Sequence, residues 1–152
     1  MADFVLLDSG PLGEAAKPRG RPAAELAHAR LNALMRAGMT ILIPEIADYE
    51  VRRELIRLHN LGAVRRLDGL RDYFGYVPIT SKVMRIAADL WAAARRSGRP
   101  TSHPHALDGD AILAAQAKEL VGASDRVVIA TTNVGHLGRF AVTVDWAAIP
   151  PG

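Results

Sequence analysis

Three short apolar runs constrain this chain more than anything else in it. Phe4-Val5-Leu6-Leu7, Thr40-Ile41-Leu42-Ile43 and Val127-Val128-Ile129-Ala130 do not alternate with polar residues. A strand that is apolar at every position is covered on both faces, which is the pattern of a parallel sheet enclosed between helices. Each run stops sharply, at Asp8, Pro44 and Thr131-Thr132-Asn133 respectively.

The intervening stretches carry helical spacing. In residues 23–37, Leu26, Ala27, Arg30, Leu31, Leu34 and Met35 keep that period, and Gly38 is a natural stop. Pro44 suits the first position of a helix running to about Asn60, with Gly62 just beyond. There Val51, Leu55 and Leu58 form an apolar stripe, with Glu50 and Glu54 one turn apart beside it. Residues 63–74 predict another helix. Tyr76-Val77-Pro78-Ile79 predicts a strand that Pro78 confines to an edge. Thr80 or Ser81 caps a long helix to Arg96. A polar loop over 97–104 precedes a helix opened by Asp108 and Asp110, and Ala141-Val142-Thr143-Val144 is the last strand.

Strands alternating with helices imply a three-layer α/β/α sandwich on a mainly parallel sheet. At 152 residues the chain is expected to be a single domain over 1–152, with a flexible Pro/Gly/Arg loop near 14–22 and a frayed C-terminal tail. It has no cysteine, which removes disulfides, thiolate zinc sites and cysteine nucleophiles together. No run is long enough to span a membrane, and Met1-Ala2-Asp3-Phe4 does not open a secretory leader, so a cytoplasmic setting is expected. The net charge of +3 is unevenly spread: residues 51–99 hold eleven Lys/Arg against four Asp/Glu. Such an excess can mark a phosphate-binding surface, or a set of solvated helix faces. Aromatic residues, at 5%, are too few to advertise a base-stacking platform.

In an open α/β sheet, functional groups gather beyond the carboxyl ends of the strands. Asp8 ends the first strand, Thr131-Thr132-Asn133 ends the fourth, and Glu50 and Asp110 open onto the same edge from helices. Crowded carboxylates repel and raise one another's pKa unless a cation sits between them. A Mg²⁺ or Mn²⁺ ion takes oxygen ligands of this kind, activates water and stabilises charge on a phosphate under attack.

Val5-Leu6-Leu7-Asp8-Ser9-Gly10, Ile43-Pro44-Glu45-Ile46-Ala47-Asp48-Tyr49-Glu50-Val51, Asp110-Ala111-Ile112-Leu113-Ala114-Ala115-Gln116-Ala117 and Val128-Ile129-Ala130-Thr131-Thr132-Asn133 stand in that order. In order and spacing they resemble the successive motifs of the PIN-domain family, in particular the VapC-like toxins of bacterial type II toxin–antitoxin systems. The resemblance implies an endoribonuclease dependent on Mg²⁺ or Mn²⁺, a cognate antitoxin and a homodimer. By position, Asp8, Glu50 and Asp110 match the family's three acids. Asn133 falls where many members carry a fourth, and Thr131 matches the small hydroxyl residue two positions earlier. The chain departs from the pattern at Ser9-Gly10, where Thr-Asn is common, and at Asn133, which brings no charge. Asp108 is the acid placed to compensate, either as an auxiliary ligand or as the helix N-cap.

Plainer roles fit other residues. Glu54 suits a surface pair with Arg57 or Arg53, while Arg52, Arg53 and Arg57 could serve RNA phosphates, an acidic partner or solvent. Tyr49 and Ile56 suit a subunit contact. His103 and His105 lack the further ligands that zinc needs and read as loop residues; His136 reads as structural. The alternative function is a non-catalytic PIN-fold module that binds RNA or protein. A phosphoacceptor of the receiver type is disfavoured, because no lysine follows Ile129.

Overall fold

The computed structural model describes residues 3–97, 104–121 and 126–151, without the side chains of 104–106. His103 lies outside the described residues. Among the described residues five strands form one sheet: β1 (Asp3–Leu7), β2 (Thr40–Pro44), β3 (Tyr76–Val77), β4 (Arg126–Thr131) and β5 (Thr143–Asp145). Every pairing is parallel, and the spatial order is β3-β2-β1-β4-β5. The expected three-layer α/β/α sandwich is therefore observed, and Pro78 does follow an edge strand.

The apolar strands feed both layers. Val5 and Leu7 face one way with Ile41, Ile43, Val128 and Ala130, against Leu12, Leu31 and Leu67. Those three come from α1 (Ser9–Ala15), α2 (Pro22–Arg36) and α4 (Leu61–Phe74). Leu6, Val127 and Ile129 face the other way, against Leu113 and Ala117 of α6 (Pro104–Leu120) and Leu137 of α7 (Val134–Leu137). Outside α6 lies α5 (Ser81–Arg96), whose Val83 and Ala87 meet Ala111 and Ala115. Small residues there let two helices approach closely. α3 (Glu45–Arg57) stands at the junction, giving Ala47 and Val51 to one layer and Ile46 to the other.

Several local expectations change. Beyond the stop at Asp8, Ser9-Gly10-Pro11 opens a helix that the sequence reading did not include, α1, with Asp8 as N-cap. Proline is tolerated in a first turn, whose N–H groups have no intrahelical partner. The connection between α1 and α2 shrinks accordingly to residues 16–21. Pro44 closes β2 and caps α3 rather than opening it; α3 stops at Arg57, and Asn60 caps α4 by accepting from Ala63 N at 3.1 Å. α6 starts at Pro104, so His105 is helical and Asp108 is no N-cap; it sits in the second turn. The C-terminal tail is tied down as far as Ile149. Buried Trp146 donates to Glu14 Oε2 at 3.0 Å, and Arg30 donates to the carbonyls of Ala147 and Ile149.

Candidate active site

The strand order reverses between β1 and β4: from β1 the chain winds outward through β2 and β3, then returns to β4 and β5. Ligand crevices of open α/β sheets form at such a switch point. Asp8 stands there, immediately beyond β1. Ser9 N donates to its Oδ1 and the Thr131 hydroxyl to its Oδ2, each at 2.7 Å. Thr131 is fully buried, and its Oγ1 accepts from Asn133 N at 2.9 Å. The end of β4 thus orients the carboxylate at the end of β1. Asn133 itself is exposed, and its side chain does not cap α7. Gly10 lies beside β4 as well, where a Cβ would stand 3.1 Å from Thr132 Oγ1.

Glu50 arrives from the second turn of α3 and Asp110 from α6. A Cβ on Gly109 would stand 3.0 Å from Glu50 Oε2, so the two helices meet at this point. Burial, first, and then the charges of Asp8 and Asp110 push the Glu50 carboxyl up, against the opposing pull of Arg53. Burial and the charge of Asp8 push Asp110 up to about 6, although His136 and Arg139 pull it down. Among the described residues, Asp110 Oδ2 is buried without a hydrogen-bond donor. Asp8, Glu50 and Asp110 therefore share one electrostatic neighbourhood. Asp108 is exposed on its flank, lining a cleft of about 240 Å³ with Tyr49, Glu50, Arg53 and Gly109. On the other side of Glu50, a cleft of about 550 Å³ is bordered by Ser9, Gly10, Lys17 and Arg53.

The donor set suits a hard divalent cation: all oxygen, with one acceptor buried and unpaired among the described residues and two carboxyls whose ionisation is suppressed by burial and then by neighbouring acids. The spacing is open. Among the described residues, no three acidic or histidine side chains already meet at ion-binding distance.

Three contributors escaped the sequence reading. Gln116, fully buried, donates from Nε2 to Val77 O at 2.7 Å and accepts from Ile46 N at 3.3 Å, tying α6 to β3 and to the start of α3. That bridge sets where Asp110 stands relative to Glu50. A glutamine inside the apolar stretch Ala114-Ala115-Gln116-Ala117 was the available signal. His136 and Arg139 gave none, because only the packing of α7 against α6 brings their charges to Asp110. Of the arginines on α3, Arg52 is engaged by Asp48 and Asp68, and Arg57 by Glu54 as expected; Arg53 lies over the Tyr49 ring, 4.0 Å from Glu50.

An α/β/α fold with acids converging on the switch point beside a hydroxyl-bearing strand end defines a class of domain. The PIN-domain family model matches residues 5–133, and the chain belongs to that family. No curated protein matches it in sequence. Among solved structures it is similar to VapBC2 from Rickettsia felis bound to a promoter DNA fragment, with a TM-score of 0.70 at 15% identity, covering 94% of this chain and 98% of that one. It is similar also to FitAcB from Neisseria gonorrhoeae, with a TM-score of 0.64 at 19% identity, covering 95% and 99%. DNA-bound VapBC from Salmonella typhimurium gives 0.64 at 17% identity, covering 96% and 99%. At such identities the likeness shows a shared fold.

Proposed function

We propose that this protein is an endoribonuclease dependent on Mg²⁺ or Mn²⁺, with Asp8, Glu50 and Asp110 holding the ion and Asn133 and Asp108 as auxiliary oxygen donors at its margin. The observation that carries the reading is that Glu50 and Asp110, from α3 and α6, are both held toward the protonated form, by burial first and then by the charge of Asp8 beyond β1, while an Asp110 oxygen is buried without a donor among the described residues. Among the described residues Arg53, His136 and Arg139 offset that effect in part, and a divalent cation would offset it further.

Bound there, the ion would lend positive charge to a phosphodiester and make water a better nucleophile. The chain's own residues do the rest. Thr131 and Ser9 N hold the Asp8 carboxylate in one orientation, so its remaining lone pairs point in a fixed direction. Asp110 keeps one oxygen buried and, among the described residues, unpaired. Glu50, with its side chain 28% exposed, is the member free to swing inward and tighten the open spacing. Lys17 and Arg53 border the larger cleft with the charge that a phosphate backbone needs.

The protein would act as the toxin of a toxin–antitoxin pair, as a homodimer. The resemblance of its motifs to VapC-like toxins supports this, as does the fold it shares with the VapBC and FitAB assemblies. The exposed Tyr49 and Ile56 offer apolar area for such contacts. The open spacing of the acids is what favours the second reading, a non-catalytic binding module. Calorimetry with Mn²⁺, paired with RNA cleavage in Mn²⁺ and in EDTA, separates the two. Saturable Mn²⁺ binding and EDTA-sensitive cleavage, both lost in Asp8→Asn, are expected. RNA binding with neither Mn²⁺ uptake nor cleavage would establish the module instead.

A further inference from the structure

Three polar side chains are buried among the described residues: Asp48, Thr131 and Gln116. Asp48 is held by Arg52, and Thr131 orients Asp8. Gln116 gives both ends of its amide to backbone groups. Its Nε2 donates to Val77 O at 2.7 Å and its Oε1 accepts from Ile46 N at 3.3 Å. A buried amide is tolerated when both ends are matched in this way. Ile46 N lies in the first turn of α3, whose N–H groups have no partner within the helix, and Val77 ends β3. Those two elements are already joined. Glu45, which opens α3, accepts from Ile79 N at 2.7 Å, and Pro44 pairs with Val77 in the sheet. Gln116 thus fastens α6 to a corner that is itself tied together.

That corner lies close to the acids. Ile46 and Glu50 are one turn apart on α3, while Gly109 and Gln116 are two turns apart on α6 and share a face. The two helices therefore meet at two points. One is the hydrogen bond from Ile46 N to Gln116; the other is Gly109, where a Cβ would stand 3.0 Å from Glu50 Oε2. Asp110 directly follows Gly109, about 9 Å along the helix from the Gln116 strut.

We propose that Gln116 sets the size of ion that the acidic site accepts, by fixing the distance between α3 and α6 at the level of Glu50 and Asp110. This rests on the metal-dependent ribonuclease reading and adds to it a residue that selects the ion. Mg²⁺ requires oxygens at about 2.0–2.1 Å in a near-ideal octahedron, whereas Ca²⁺ accepts about 2.3–2.6 Å in flexible geometry. A few tenths of an ångström in helix spacing is therefore enough to choose between them. A side chain hydrogen-bonded at both ends holds that tolerance, and an apolar one, free to slide, does not. Gln116 is a positioning residue, acting through the two helices.

The test titrates Mg²⁺ and Ca²⁺ separately into the metal-free protein by calorimetry and takes the ratio of the two dissociation constants. Gln116→Met keeps the length of the side chain and removes both hydrogen bonds. Its Mg²⁺ affinity is expected to fall about tenfold, the lower end for groups that support a metal ligand, while Ca²⁺ affinity holds. The ratio then moves toward Ca²⁺. This variant also loses stability, because Ile46 N and Val77 O are left buried without partners. Asp48→Asn, destabilised through a different pair, is the control and should keep the wild-type ratio. If Gln116→Met does not fold, Gln116→Asn, whose amide is one methylene shorter and cannot reach both partners, should show the same shift at smaller size. An unchanged ratio in Gln116→Met, or in Gln116→Asn where the former does not fold, overturns the strut and leaves the ion site standing. An equal shift in Asp48→Asn overturns it too, since selectivity would then follow stability. Wild-type protein that takes up neither of these ions nor Mn²⁺ overturns the metal-dependent reading, and the selectivity with it.

Discussion

Two aspartates on neighbouring helical elements show what distinguishes a carboxylate serving the fold from one held for something else. Asp48, on α3, is only 6% exposed, yet both its oxygens accept from Arg52, at 2.9 and 3.0 Å, and Arg52 also reaches Asp68 at 2.7 Å. The pair lifts the Arg52 pKa, so its charge is locked in. Asp110, on α6, has an oxygen with no donor among the described residues, and burial and the charge of Asp8 push its carboxyl up to about 6. The first acid is complete within this chain. The second is incomplete, and its nearest charges include another acid.

Replacement by asparagine should therefore have opposite consequences at the two positions, and this is the largest effect expected. Asp110→Asn should reduce metal-dependent RNA cleavage by at least about a hundredfold, the scale of losing one electrostatic element of an active site. It should leave the metal-free protein as stable or more so, because a repelled charge has gone. Asp48→Asn should do the reverse. Cleavage per folded molecule stays near wild type, while stability falls by about 2 kcal/mol, below the range for a fully buried pair because Arg52 keeps Asp68. In thermal melts that is roughly 4–8 °C for a chain of this size. Equal losses of cleavage in both variants would erase the distinction.

Thr131→Val comes next. It removes the hydroxyl that donates to Asp8 Oδ2 and accepts from Asn133 N, at the cost of little volume. Groups that orient a ligand typically change metal affinity by 10–100-fold. Mn²⁺ calorimetry should show a loss in that range with the melting temperature little changed. Unaltered affinity would mean that Ser9 N alone orients Asp8.

The same contrast predicts a pH dependence. The folded-state pKa of Asp110 lies above its ordinary value of 3.8. The native state thus binds the extra proton between those values, and the metal-free protein loses stability as pH rises from about 4 to about 6. Metal binding runs the other way, since the ligand must lose its proton: Mn²⁺ affinity should fall roughly tenfold per unit below about pH 6. Asp110→Asn should flatten both curves.

How much of this was legible in the sequence follows from the range of the interactions. The strands were visible because an unbroken apolar run has few other homes, and Asp8 was visible because it ends one. Helix α1 was hidden, since Asp8-Ser9-Gly10-Pro11 reads as an abrupt stop to the first strand. Only the capping by Asp8 and the burial of Leu12 make them a helix. The start of α6 was misplaced for a related reason: Pro104, read as loop, sits in a first turn, which moved Asp108 from cap to flank. That Asp8, Glu50 and Asp110 share a neighbourhood followed from topology, since functional groups gather beyond strand ends, and from the resemblance of motifs. That Arg139 and His136 face Asp110, and that Gln116 spaces α6 from α3, depended on contacts between distant stretches that no local pattern encodes.

The smallest expected effect tests the spacing itself. Gly109 lies between the flank acid and the orphan acid, and a Cβ there would come within 3.0 Å of Glu50 Oε2. The atom it meets is the end of a partly exposed side chain, able to give way by a few tenths of an ångström. In a helix interior, alanine is better than glycine by about 0.5–1 kcal/mol. Gly109→Ala should thus melt at the same temperature or slightly higher while Glu50 is turned off the site. Mn²⁺ affinity should drop a few-fold, by less than in Thr131→Val. If affinity rises instead, the glycine holds Glu50 away from the other two acids, and closing that gap is the step by which the site assembles.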